Sequence, residues 1–395
     1  MGDLRAPVST AIVPPPRPTG RRLVHFKRGV SAGDAQRVLR STGASVVTPD
    51  ASVLASVARS SHDIIGLERL GIAIVGGGLE TSKSLGEQLM AHDEVADVRP
   101  EFWMFAIQGP PWQDSASTTW GIEATRAAGT GHDGNGIKVA VLDTGIDRSH
   151  PDFNHSAMIT ETFVEGETVD DVQGHGTHCA GTICGRPSSA NVPRYGVAPG
   201  VILHVGKVLN NHGAGREGDI IAGMIWAMER GCEIISMSLG RGTMPNEPFD
   251  PLYESIAQDA LDQGILIVAA AGNDSDRRWN YVAPVGAPAN SPSIMAVAAI
   301  GADGGVASFS CGAVGTGQVD ISAPGVGIFS AFAGVQTYKK LMGTSMACPH
   351  VAGLAALHAA SAPQLRGQAL WDHLVQNAVG LGGIPRDIGA GLAVI

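Results

Sequence analysis

The chain has 395 residues, of which 44% are hydrophobic, 16% charged and only 5% aromatic, with 53 glycines. That balance excludes a disordered, collagen-like or coiled-coil chain, and the length admits roughly two to three domains with a large core. Residues 1–120 carry 12 basic and 12 acidic side chains, so the whole net charge of −10 falls on the remainder, which argues against nucleic acid as a partner.

Residues 1–20 form a Pro-rich lead (Pro14, Pro15, Pro16, Pro18) expected to be extended or disordered. The lead holds no apolar h-region, so no secretory signal is legible and the sequence as it stands leans cytoplasmic. Residues 21–107 read as a small α+β unit. RLVHFKRG (22–29) alternates like a strand, 34–43 has helical spacing stopped by Gly43, and 64–75 reads as a strand or hairpin pair. Residues 81–93 read as a helix capped by Thr81, and 94–107 as a final strand. The order βαββαβ is the ferredoxin-like arrangement. Residues 108–119 are turn-rich and read as a linker. From 120 to 395 short apolar runs alternate with helical stretches: strands over 137–145, 201–209, 233–240, 265–273 and 293–300, and helices over 219–231, 255–264 and 345–360. This alternation predicts an α/β fold, a parallel sheet with helices on both faces. No run of about 18 uninterrupted apolar residues offers a membrane span.

In such a sheet, function collects at the carboxyl ends of the strands. Asp143 follows the apolar run KVAVL; alone, it would serve equally well as a turn cap. His175 sits between Gly174 and Gly176, which permit close backbone approach. Alone it would be a loop residue, and a metal pair with His178 lacks a third ligand. Ser345 opens a helix, where free N–H groups and the dipole favour an anion beside its oxygen; alone it would be an N-cap. Together the three make a different case. A serine hydroxyl is a poor nucleophile without a base, histidine is a base near neutral pH, and that base needs an orienting carboxylate. The chain order Asp, His, Ser is the subtilisin order, distinct from those of chymotrypsin and the α/β-hydrolases.

VAVLDTGIDRSHPDF, GHGTHCAGT and GTSMACPHVAG resemble, in order, the three signature blocks of the subtilisin-like (subtilase) serine proteases. The resemblance covers about 120–395, with TTWGIEATRA similar to the start of the mature enzyme and DIGAGLAVI to its closing strand. Residues 21–107 resemble, less closely, the family's N-terminal propeptide, a chaperone and inhibitor of its own enzyme. The resemblance implies a serine endopeptidase. Ser345 is then the nucleophile, His175 the general base, Asp143 its orienter, and Asn273 an oxyanion donor beside the Ser345 N–H. It sets Ser238, Leu239 and Gly240 on one side of an extended polypeptide substrate and Gly213, Ala214 and Gly215 on the other. Ala269, Ala270, Gly272 and Gly286 would line a pocket for a large apolar P1 side chain, with Asp274 at its rim. Ile220 would floor the S4 side, and Glu217 stands where the family often has an aromatic residue.

Asp152, with Asn191 in the 186–197 loop, matches a structural calcium site of the family, and no cofactor is implied for the chemistry. Zymogen processing is expected at Ile107–Gln108, with Phe105 and Ala106 as alternative P1 residues. The expected partners are polypeptide substrates and the chain's own propeptide, in a monomer. A latent binding scaffold and a peptide transamidase or cyclase using the same acyl-enzyme are the alternative readings. The five cysteines are Cys179, Cys184, Cys232, Cys311 and Cys348, too few for a disulfide framework and odd in number. Cys179 and Cys348 read as small core residues, and a Cys179–Cys184 bond is not expected at i,i+5 on a helix. A thiol under His175 would make the activity sensitive to mercurials.

Overall fold

In the computed structural model, which describes residues 18–47, 64–67, 71–76, 79–102, 112–153, 158–186 and 191–395, the chain divides into a unit over Ile12–Ile107 and a unit containing Gln108–Ile395. The first unit contains β1 (Pro18–Phe26), α1 (Ala32–Ser41), β2 (Val46–Val47), β3 (Ile64–Leu67), β4 (Ile72–Val75), α2 (Leu79–Met90) and β5 (Val95–Phe102), in the sheet order β2-β3-β4-β1-β5. Ser31 starts α1 by accepting the Asp34 N–H on its side chain. Val24, Phe26, Val38, Leu39, Ile64, Ala73, Val75 and Leu89 bury one common face.

The strand or hairpin pair expected in 64–75 is present as the antiparallel pair β3–β4, and three details differ from the sequence reading. Residues 18–20, expected in the lead, belong to β1. Thr81, expected as a cap, lies inside α2, which starts at Leu79. Val46–Val47 add a parallel strand too short to leave any period in the sequence. Phe105, Ala106, Ile107, Gln108 and the lead up to residue 17 lie outside the described residues.

The second unit opens with α3 (Trp120–Ala124) and is built on seven parallel strands: β6 (Lys138–Asp143), β7 (Met158–Thr162), β8 (Ile202–Lys207), β9 (Ile234–Met237), β10 (Leu266–Ala270), β11 (Met295–Ile300) and β12 (Ile321–Pro324). Their order is β12-β11-β10-β9-β6-β8-β7. Alternate residues feed opposite cores. Val139, Val141, Ile234, Val268 and Val297 join Cys179 and Ile183 of α4 (His175–Cys184) on one face. Ala140, Leu142, Ile235, Ile267 and Ala298 join α5 (Glu217–Glu229) and α6 (Pro251–Asp262) on the other. Strands buried on both faces are predominantly apolar, which is why these runs stand out in the sequence. A hairpin, β13 (Ile328–Ala331) with β14 (Tyr338–Leu341), precedes the long helix α7 (Thr344–Ser361).

The expected closing strand is absent among the described residues: Pro385–Ile388 forms a helical turn, and Leu392 meets Ser322 and Val379 by single bridges. The expected linker is anchored in part, since Asp114 Oδ1 accepts the Trp120 N–H at 2.8 Å and Thr118 bridges to Arg194. Strand order reverses at β6, so the crevice for a ligand opens at its carboxyl end. Among the described residues no helix is long and apolar enough to cross a membrane.

Candidate active site

Asp143 is the last residue of β6 and is wholly buried; the Thr144 N–H donates to its Oδ1 at 2.7 Å. His175 is the first residue of α4, and Gly174 before it caps the helix with φ +94°, where a side chain would be strained and would run into the Phe332 ring. A Cβ on Gly176 would stand 2.3 Å from the Gly145 carbonyl oxygen, so strand end and helix start meet backbone to backbone. The result is that His175 Nδ1–H donates to Asp143 Oδ1 at 2.8 Å and Oδ2 at 3.0 Å. Burial works against the charged imidazole, but the Asp143 carboxylate together with Cys179 outweighs it and raises the His175 pKa well above 6.5.

A residue missed by the sequence reading fastens this arrangement. The buried Asp171 carboxylate accepts the N–H groups of Gln173 (3.1 Å), Gly174 (2.7 Å) and Thr177 (2.9 Å), and the hydroxyls of Thr177 (2.7 Å) and Thr144 (2.9 Å). The Thr144 hydroxyl in turn accepts the Gly176 N–H at 2.8 Å. The available signal was an acid four residues before the histidine at a helix start, where free N–H groups draw an anion.

Ser345 is the second residue of α7; the cap is Gly343. Pro349 lies inside that helix and has no N–H for the Ser345 carbonyl four residues earlier. That carbonyl instead accepts the Ser238 hydroxyl at 2.8 Å and the Cys179 thiol at 3.5 Å. The Ser345 hydroxyl donates to the Ser238 carbonyl at 3.2 Å. Asn273 Oδ1 accepts the Thr344 N–H (2.9 Å) and hydroxyl (3.0 Å), which fixes the amide and keeps its NH2 as a donor.

His175, Asn273 and Ser345 line one cleft of about 760 Å³, together with Gly213, Ala214, Gly215, Ile220, Ser238, Leu239, Gly240, Ala270, Gly272 and Gly286. Glu217, Arg241, Tyr253 and Asp274 complete its walls. Ala269, expected in the S1 wall, is instead wholly buried within β10. Ser238, Leu239 and Gly240 follow β9 rather than lie in it.

The expected ligand roles fare differently. His178 Nε2 lies 3.0 Å from the Ile328 carbonyl and 3.1 Å from that of Lys339, tying α4 to the hairpin, and burial pushes its pKa down to about 3. Asp152 is wholly buried, and its Oδ2 accepts the hydroxyls of Tyr195 (2.6 Å) and Tyr338 (3.0 Å). One carboxylate oxygen of the expected calcium ligand is thus engaged by two phenols, and Asn191, the other expected ligand, is exposed beside a stretch, 187–190, outside the described residues. Among the described residues, the acidic, histidine and cysteine side chains grouped closely enough to hold a metal are Asp143, His175 and Cys179, the site itself. All five cysteines are free and buried.

Residues 134–391 match the Subtilase family. Subtilisin DY of Bacillus licheniformis is 38% identical over 265 residues, 66% of this chain and 90% of its own length. Subtilisin Savinase of Lederbergia lenta is 40% identical over 270 residues, 67% of this chain and 93% of its own. Among solved structures, Sphericase aligns with a TM-score of 0.59 at 34% identity, covering 70% of this chain and 97% of that one. Relatives of this identity, over 66–67% of the chain and most of their own length, make the protein a member of the subtilase family and a serine endopeptidase.

Proposed function

We propose that the protein is made as a zymogen and hydrolyses polypeptides through an acyl-enzyme on Ser345, with His175 as base and Asp143 as its orienter. The observation that carries the reading is the 2.8 Å bond from His175 Nδ1 to buried Asp143, in a cleft that Ser345 shares. Ser345 Oγ turns about χ1 away from the Ser238 carbonyl, passes its proton to His175 Nε2 and bonds to the scissile carbonyl carbon. The carbonyl electron pair moves to oxygen, where the Asn273 amide and the Ser345 N–H donate. The adduct then collapses, the amine leaves with the proton from His175, and water repeats the attack to free the acid.

Residues 213–215 and 238–240 would flank the extended substrate. The small uncharged Ala270, Gly272 and Gly286 favour a large apolar P1 side chain, with Asp274 at the rim. In this reading residues 1–17 are a lead, 18–107 a propeptide and inhibitor, 108–119 a linker and 120–395 the catalytic domain of a monomer. The chain cleaves itself near Ile107–Gln108. Intact mass spectrometry of the wild type and Ser345→Ala tests it. The wild type should lose its N-terminal portion and cleave casein, while the variant keeps full length. Identical full-length masses without casein cleavage would overturn the proposal.

A further inference from the structure

Lys207 ends β8, pairs with Asp143 across the ladder and has no exposed surface. A buried ammonium is costly unless its hydrogens are used and its charge is answered. Here Nζ donates to the Thr144 carbonyl at 2.5 Å and to Asn211 Oδ1 at 3.0 Å, and Glu167 Oε2 lies 3.3 Å away. Glu167 is itself held by the Asn211 N–H at 3.0 Å. Thr144 is the relay. Its N–H donates to Asp143 Oδ1, its hydroxyl bonds Asp171 and Gly176, and its carbonyl belongs to Lys207.

We propose that Lys207 is a positioning residue for the reaction and an electrostatic counterweight to Asp143, a reading that rests on the catalytic roles proposed above. Through the Thr144 carbonyl it fixes the peptide unit whose neighbouring N–H holds the Asp143 carboxylate. Its positive charge offsets the pull of that carboxylate on the His175 proton, so the histidine becomes a free base at a lower pH than Asp143 alone would allow. Glu167 answers Lys207 and limits that offset. The other titratable groups around His175 are Asp171 before its helix, Cys179 and His178 on it, and Asp143 at the end of β6.

The test is kcat/KM against pH for the wild type, Lys207→Met and Glu167→Gln, on a soluble peptide anilide, with melting temperatures recorded alongside. Lys207→Met should move the acid limb up, and Glu167→Gln should move it down, each by roughly half to one pH unit. Opposite shifts are what a merely structural role would not give. Limbs that coincide with the wild type, or that move the same way in both variants, overturn the proposal. If Lys207→Met fails to fold, the Glu167→Gln limb decides alone: a downward shift supports the proposal and an unmoved limb overturns it. A wild type without an acid limb, and unlabelled by a serine-directed phosphonate, would instead sink the catalytic reading beneath it.

Discussion

His175 is held by two opposed effects: burial disfavours its cation, and the Asp143 carboxylate at 2.8 Å favours it and prevails. In the proposed mechanism only the neutral imidazole takes a proton from Ser345, so activity should vanish as pH falls through the raised pKa. The acid limb of kcat/KM is expected above the ordinary 6.5, and a midpoint at or below that value would contradict the geometry. Asn273 makes a separable case. Its oxygen is spent on Thr344, so its NH2 is what remains to meet developing charge. Asn273→Ala should lower kcat by about 10²–10³ and change KM by only a few fold. An equal loss through KM with kcat intact would place the residue in ground-state binding instead.

Helix starts are where backbone meets backbone in this fold, and two glycines test that claim from opposite sides. Gly176 sits in α4 with its hydrogen facing the Gly145 carbonyl, so Gly176→Ala should lower stability by about 2–4 kcal/mol. Gly218 in α5 has open space where a Cβ would stand, with no atom within 4 Å, so Gly218→Ala should raise stability by about 0.5–1 kcal/mol. Thermal melts of both variants in an inactive Ser345→Ala background check the pair, and equal effects would refute the contact argument. The same contrast between local pattern and spatial closure governs what the sequence revealed. Strands β6 and β8 to β11 were legible because burial on both faces makes them predominantly apolar. Strand β7 (MITET) alternates between half-buried and exposed positions, and the hairpin strand YKKL exposes both its central lysines, so neither left an apolar run. Asp143, His175 and Ser345 were legible because each lies at an element boundary within two residues of a glycine and because the three together read as orienter, base and nucleophile. Asp171 and Lys207 were not, because an acid in a loop and a lysine ending a strand look like surface charges until the fold closes over them. The surroundings of Asp152 were hidden for the same reason: its phenol partners, Tyr195 and Tyr338, lie 43 and 186 residues away.

At the scale of the whole molecule, Asp320 adds a pH dependence of stability opposite in sense to the pH demand of the proposed base. Asp320 stands just before β12, at the amino ends of the parallel strands and so at the far edge of the sheet from the cleft. Its Oδ2 accepts the Ala296 N–H at 2.7 Å, and burial pushes its carboxyl up from 3.8 to about 7. The folded state therefore keeps a proton that the unfolded chain releases. Stability is fully present below the unfolded value near 3.8, falls as pH rises, and levels off above about 7. The loss amounts to about 2–4 kcal/mol, and it adds to the self-repulsion of a net −10 chain whose excess acids all lie after residue 120. The His175 base, by contrast, needs the higher pH. Asp320→Asn separates the effects, because the amide oxygen still accepts the Ala296 N–H while nothing titrates. In the inactive Ser345→Ala background, which prevents self-digestion, the variant should melt near the parent temperature at pH 4.5 and several degrees above it at pH 8. The kcat/KM limb of the active form should stay where it was, since the sheet's far edge does not touch His175. A stability gap that fails to widen between pH 4.5 and pH 8 would show that Asp320 is already ionised in the folded protein.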